Sequence, residues 1–309
     1  MSNRTIRIAT RQSPLALKQA NHVRELLIKQ WPNRHFELVP MISSGDKFLK
    51  DKLLTVGGKG LFVKELEEAL LDKRACIAVH STKDMPADCP PGLFLAVICK
   101  RDDPFDAFIS INYPNLDALP LKAIVGTASL RRQSQLLAYR PDLHILPLRG
   151  NINTRLTKLK TEQFDAIILA TAGLMRMGFT SQITEILSES VMLPSCGQGA
   201  LCIECRVDDL EIQEMISFLD DPLSSVCVRT ERLVNAQLGG NCHIPLAVFC
   251  KPVGDQSLLL TAKIGTIDGT RFIEHCQSGT INQADELAHH CTKSLIEKGA
   301  AELLQTLLP

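Results

Sequence analysis

Residues 5–42 read TIRIATRQSPLALKQANHVRELLIKQWPNRHFELVPMI. Within 5–10 the apolar residues alternate, with Ile6 and Ile8 two apart, which is the period of a half-buried strand. From Pro14 to Trp31 the apolar positions Leu15, Ala16, Ala20, Val23, Leu26 and Leu27 recur at helical spacing. Residues 36–42 return to a β-rich run. A strand, an amphipathic helix and a second strand within 38 residues point to a parallel βαβ arrangement and an α/β fold.

The same alternation continues outward. Strands are expected at 76–80, 93–98, 123–126, 143–148 and 165–170, and helices at 61–72 and 130–139, giving α/β domains with largely parallel sheets. Lys100-Arg101-Asp102-Asp103-Pro104 is a polar break after an apolar strand, and 193–199 is punctuated by Pro and Gly. After Asp220-Asp221-Pro222 the order changes to a helix over about 223–237, three strand-like runs near Leu246, Leu258 and Arg271, and helix from 282 onward. This last part reads as a smaller α+β domain. A chain of 309 residues with 45% hydrophobic content is long and apolar enough for two or three cores.

The formal net charge is zero, so no general affinity for nucleic acid or an anionic membrane surface is expected. No window reaches the length of uninterrupted apolar sequence that a membrane span needs, and the basic N-terminal residues are followed by no apolar signal region. The chain therefore reads as unexported and soluble. Its 11 cysteines are odd in number and irregularly spaced, which suits buried thiols better than a disulfide framework.

Four predicted strand ends share one pattern, a hydroxyl or amide side chain beside basic residues where a helix begins. They are Arg11-Gln12-Ser13-Pro14, Ser81-Thr82-Lys83-Asp84, Thr127-Ala128-Ser129-Leu130-Arg131-Arg132, and Arg149-Gly150-Asn151 followed by Arg155. Carboxyl ends of strands in open α/β sheets are where ligands sit, and a helix N-terminus offers N–H groups to an anion. Taken singly, each Ser or Asn is an ordinary N-cap and each Arg a solvated charge. Arg131 and Arg132 stand out because cations in a first helical turn oppose the helix dipole, so an anion is expected to compensate them. Residues 122–176 carry nine Lys/Arg against three Asp/Glu. The preference for Arg suits bidentate capture of carboxylates, and a polycarboxylate ligand is expected.

Asp84 is the one acid among those strand ends; it is either a cap or a fixed carboxylate able to stabilise a cation and shuttle a proton. Lys59, in Val56-Gly57-Gly58-Lys59-Gly60, fits neither nucleotide-loop spacing and reads as a Gly-rich lid bearing one cation, or as a plain turn. Cys202-Ile203-Glu204-Cys205 lacks a second pair at zinc spacing, so no metal is expected there. Cys242 follows Gly239-Gly240-Asn241 and precedes His243; by itself it is an inert thiol, or a sulfur presented by a loop with His243 to aid ionisation.

Seven stretches together carry a resemblance: 8–16 (IATRQSPLA), 57–62 (GGKGLF), 79–84 (VHSTKD), 126–132 (GTASLRR), 148–151 (LRGN), 197–200 (GQGA) and the Gly-rich loop before Cys242. In that order they resemble the porphobilinogen deaminase (hydroxymethylbilane synthase) family, from the first strand to the last domain. The resemblance implies two hinged α/β domains like those of periplasmic binding proteins, with the active cleft between them, and a smaller α+β C-terminal domain. It puts domain 1 at 1–99 and 200–217, domain 2 at 105–193 and domain 3 at 222–309, with hinges near 100–104, 194–199 and 218–221. It also implies a dipyrromethane joined to Cys242 by a thioether, with Asp84 as the catalytic carboxylate. Arg11, Ser13, Lys59, Ser81, Lys83, Thr127, Ser129, Arg131, Arg132, Arg149, Arg155 and Arg176 would bind the acetate and propionate groups of cofactor, substrate and growing chain.

The implied reaction is stepwise condensation of four porphobilinogens with loss of ammonia, through a cationic azafulvene, and hydrolytic release of hydroxymethylbilane in heme biosynthesis. A cytoplasmic monomer that needs no metal is what the family suggests. Ser44, Thr55, Ala128 and Asn241 depart from the family's pattern. The rival readings are a solute-binding receptor for a carboxylate or oxyanion, which the strand-end arginines could serve, and a zinc or thiol-redox protein resting on Cys202 and Cys205.

Overall fold

The computed structural model describes residues 4–43, 63–240 and 244–307. Ser44, Thr55, Lys59, Asn241 and Cys242 lie outside the described residues. The chain forms two compact units, Met1–Arg101 with Ala200–Ser225, and Asp102–Gly199 with Val226–Pro309.

In the first unit β1 (Ile6–Arg11), α1 (Pro14–Gln30) and β2 (Phe36–Met41) realise the opening stretch. Ser13 caps α1, its Oγ accepting from Ala16 N at 3.3 Å, and Pro14 supplies the fixed φ that suits a first helical position. Then come α2 (Lys64–Leu71), β3 (Ile77–Ser81), a 3-10 turn over Thr82–Asp84 and β4 (Leu93–Ile98). The sheet has the order β2-β1-β3-β10-β4, where β10 (Leu201–Arg206) arrives from far along the chain. β1 pairs parallel with β2 and β3, while β10 runs antiparallel to both β3 and β4. "Largely parallel" therefore needs one amendment, a single reversed strand near the centre. Every residue of β10 is buried, as a strand flanked and covered on both faces requires. α1 and α6 (Leu210–Ile216) cover one face of the sheet through Val23, Leu27, Ile212 and Met215, and α2 covers the other through Leu66, Ala69 and Leu70.

The second unit repeats the plan. β5 (Asp106–Ser110), β6 (Ile124–Gly126), β7 (His144–Leu146), β8 (Ala166–Ala170) and β9 (Glu185–Ile186) form a sheet of order β7-β6-β8-β5-β9. β5 is its reversed strand, antiparallel to β8 and β9. α3 (Leu130–Tyr139), α4 (Ile152–Thr161) and α5 (Thr171–Met177) lie between these strands in sequence. β5 and β9 had no sequence expectation: β5 follows the polar break at once, and β9 is two residues long.

The chain continues through α7 (Pro222–Gln237) into an antiparallel sheet, β11 (Leu246–Pro252), β12 (Ser257–Gly265) and β13 (Phe272–Thr280), backed by α8 (Ala284–Glu297) and α9 (Ala300–Leu307). Within this unit Glu231 on α7 ties both parts together, its carboxylate accepting from Gly197 N at 2.7 Å and from Cys250 N at 2.8 Å. Phe105 meets Phe249 edge-on at 5.8 Å. Among the described residues no helix is long and apolar enough to cross a membrane.

Candidate functional site

The predicted strand-end residues of the first unit converge. Arg11 ends β1, Ser81 ends β3, and Asp84 closes the 3-10 turn that follows. Arg11, Gln19, His80, Ser81 and Asp84, with Ala16, Val63 and Val79, line one pocket. Asp84 is exposed and makes no hydrogen bond to a described residue, whereas Arg11 is half-buried. Ser81 Oγ and the Gln19 side chain exchange hydrogen bonds, with Gln19 Nε2 2.9 Å and Oε1 3.2 Å away. Ser13 at the start of α1 and Lys83 in the turn stand beside this pocket in the chain, and both are half-buried.

Gln19 was not among the sequence candidates. Its signal is a polar residue on the apolar face of α1, four positions from both Leu15 and Val23, and it is 4% exposed. His80 was also missed; it sits in a run that reads as an ordinary buried strand. Its Nε2 lies 3.1 Å from Glu204 Oε2 on β10, and both side chains are buried.

In the second unit the hydroxyls at the β6–α3 junction hold the backbone. Thr127 Oγ1 accepts from Ser129 N at 3.2 Å, and Ser129 Oγ accepts from Arg132 N at 3.5 Å, capping α3. Asn151 caps α4 in the same way, accepting from Thr154 N at 2.9 Å. A hydroxyl that accepts as a cap keeps its O–H to donate, so the capping bonds of Ser13, Thr127 and Ser129 do not use up their donors.

The anion that Arg131 and Arg132 require is supplied inside the protein. Arg131 Nη2 donates to Asp106 Oδ2 at 2.6 Å and its Nη1 to Leu193 O at 2.7 Å. Arg132 donates from Nη2 and Nε to Asp106 Oδ1 at 2.7 and 3.1 Å, and from Nη1 to Ile168 O at 2.9 Å. Gln198 Nε2 adds a further donor to Asp106 Oδ1 at 3.0 Å. Burial pushes the Asp106 carboxyl up, but the two guanidinium groups outweigh it and hold it well below the usual carboxylate range. The argument that a ligand must compensate these arginines is thus corrected: Asp106, outside the basic window at 122–176, does so. Two guanidinium groups and one carboxylate still leave one positive charge beneath the N-terminus of α3.

Arg149 is half-buried and has no hydrogen bond or ion pair among the described residues. Arg155 Nε donates to Gly150 O at 2.8 Å. Arg176 pairs with Asp102 at 2.8 Å and donates to Gly199 O at 2.5 Å, so it too is engaged internally. Gly199 has φ +90°, and a Cβ there would lie 2.7 Å from Asp102 O. Gly199→Ala is therefore expected to destabilise the protein by about 1–3 kcal/mol, seen as a lower urea midpoint at unchanged m-value.

Cys202 and Cys205 are three apart on a strand, so they point to opposite faces of the sheet and cannot share an ion. Burial pushes the Cys205 thiol up to about 12, which leaves almost no thiolate at neutral pH. The zinc and redox readings lose their geometry.

In the first unit, a cation (Arg11) and a hydroxyl (Ser81) line one pocket with the exposed Asp84. Residues 6–214 match the family model for the porphobilinogen deaminase, dipyromethane cofactor binding domain, and residues 225–297 match that for the porphobilinogen deaminase C-terminal domain. The porphobilinogen deaminase of Legionella pneumophila strain Paris is 65% identical over 307 residues, covering 99% of both chains. That of strain Philadelphia 1 is 64% identical over the same span. Among solved structures, the methionine binding protein MetQ is similar over 71% of this chain and 90% of its own, with TM-score 0.45 and 14% identity. Two family models matched in order, and close relatives matched from end to end, place the chain in the porphobilinogen deaminase family.

Proposed function

We propose that Asp84 is the carboxylate at which condensation runs, and that Cys242 carries the primer. As a member of its family the chain is a transferase of tetrapyrrole biosynthesis that acts on porphobilinogen with a dipyrromethane cofactor. The observation that carries the Asp84 assignment is its place: the one acid left exposed in a pocket shared with Arg11, Gln19 and Ser81.

The donor set fits the cofactor. The acetate and propionate groups of a dipyrromethane call for donors, while its pyrrole N–H groups call for an acceptor such as Asp84, and Arg149 is a half-buried guanidinium without an internal partner among the described residues. Arg11, Ser13, Lys59, Ser81 and Lys83 on the first unit, and Thr127, Ser129, Arg149 and Arg155 on the second, would hold those carboxylates. Arg131 and Arg132, anchored on Asp106, would act through their residual positive charge, and Arg176 through its hold on residues 102 and 199. When bound, the dipyrromethane supplies the pyrrole carbon to which each incoming unit is joined.

The protein's own part is electrostatic. Loss of ammonia turns the substrate into a cation, which a fixed carboxylate at Asp84 stabilises and whose replacement proton it can take up. Four such cycles and hydrolytic release of hydroxymethylbilane, in a cytoplasmic monomer, complete the proposal. So does a division into domains 1–99 with 200–217, 105–193 and 222–309.

The test is a denaturing intact-mass spectrum with peptide mapping. Wild-type protein should carry an adduct equal to two porphobilinogens less two ammonias, mapped to Cys242 and missing from Cys242→Ser. Unmodified wild type from cells that make porphobilinogen, or an adduct retained by the variant, would overturn the Cys242 assignment.

A further inference from the structure

We infer that His80, held by Glu204, is a proton-holding positioning residue that resets Asp84 between condensation cycles. The inference rests on the Asp84 assignment above and deepens it. Written from the substrate's ammonium form, each condensation replaces a C–H bond and a C–N bond with a C–C bond; the nitrogen leaves as neutral ammonia with the C–N electron pair, and the proton from the C–H bond is released. Asp84 must be ionised to stabilise the next cation, so a carboxylate that collects the proton has to pass it on before the following cycle.

The first unit provides an acceptor in the same pocket. His80 lines it together with Asp84 and Arg11. On β3 its side chain shares the α2-facing side of the sheet with Ala78, and Glu204 on β10 lies opposite Ala78 on that same side, diagonal to His80. The His80–Glu204 contact occupies Nε2, and Nδ1 has no hydrogen bond to a described residue. Glu204 Oε1 is buried with no hydrogen-bond partner, an expensive arrangement unless a proton or a cation is meant to be balanced there.

Among the described residues, four elements bring charged groups toward the imidazole. Glu204 comes from β10, Glu67 from α2, Arg11 from the end of β1 and Asp84 from the turn after β3; α1 contributes only the neutral Gln19. Burial and the Glu204 carboxylate push Glu67 up to about 7. Transfer breaks the O–H bond on Asp84 and forms an N–H bond on His80, giving an imidazolium paired with Glu204; the imidazolium then loses its proton to water. No other reactant is needed.

Two measurements test this. In the holoenzyme, His80→Gln should lower kcat by about tenfold with little change in KM. Glu204→Gln, which destabilises the imidazolium, should move the acidic limb of the kcat profile to lower pH. A loss that is equal at every pH, with the limb unmoved, overturns the inference in favour of simple packing.

The second readout needs no turnover. Histidine-selective NMR of labelled protein, with His80 assigned from His80→Gln, should show the His80 midpoint moving to lower pH in Asp84→Asn. An inactive Asp84→Asn with an unmoved His80 midpoint sinks the relay alone, whereas a fully active Asp84→Asn sinks the Asp84 assignment on which it rests.

Discussion

On the proposed assignment, Asp84→Asn should lower kcat by about 10²–10⁴-fold while leaving the folded protein as stable as wild type. The size follows from what an amide cannot do: it keeps the carboxylate's shape but neither balances a cation nor accepts a proton. The unchanged stability follows from exposure, because Asp84 makes no hydrogen bond to a described residue whose loss would be felt. Steady-state kinetics with a parallel thermal melt check both halves. A fall of less than about threefold would remove Asp84 from the chemistry.

Asp106→Ala destabilises the protein by about 3–5 kcal/mol, because it strands two buried guanidinium groups that together make three bonds to that carboxylate. Asp106→Asn should cost less, since the amide oxygen still accepts. The pH dependence has a definite sign. A carboxyl held low in the folded state contributes stability that is present above its unfolded value, near 3.9, and is lost as pH falls through the folded value. The gap between wild type and Asp106→Asn should therefore stay constant from pH 7 to about 5 and close in stronger acid, as followed by urea titration. A gap that widens in acid would mean that Asp106 is not ionised in the folded protein.

Much of this was legible in the sequence, and most of the exceptions are long-range contacts. β1, α1 and β2 show themselves because period, cap and proline agree within 38 residues. Asp84, Arg11 and Ser81 were findable because they fall at strand ends, which is a local property. Asp106 was not, because its partners are 25 and 26 residues away and nothing near Phe105 signals them. His80 and Glu204 lie 124 residues apart in apolar strands, so only the pairing of β3 with β10 reveals them. Gln19 was hidden differently, as a polar residue averaged into an amphipathic pattern.

The late arrival of β10 has a consequence for biosynthesis. The strands of the second unit's first sheet lie between residues 106 and 186, so a growing chain can complete that sheet from contiguous sequence. The first unit cannot be finished in order, because the slot between β3 and β4 is filled only when Leu201–Arg206 has been made. At about 5–20 residues per second, the nascent first unit waits roughly 5–20 s with two unpaired strand edges open to solvent. The part of the protein translated first is therefore completed only after the sheet at residues 106–186 has been made, and its open strand edges are of the kind that invite pairing with another chain.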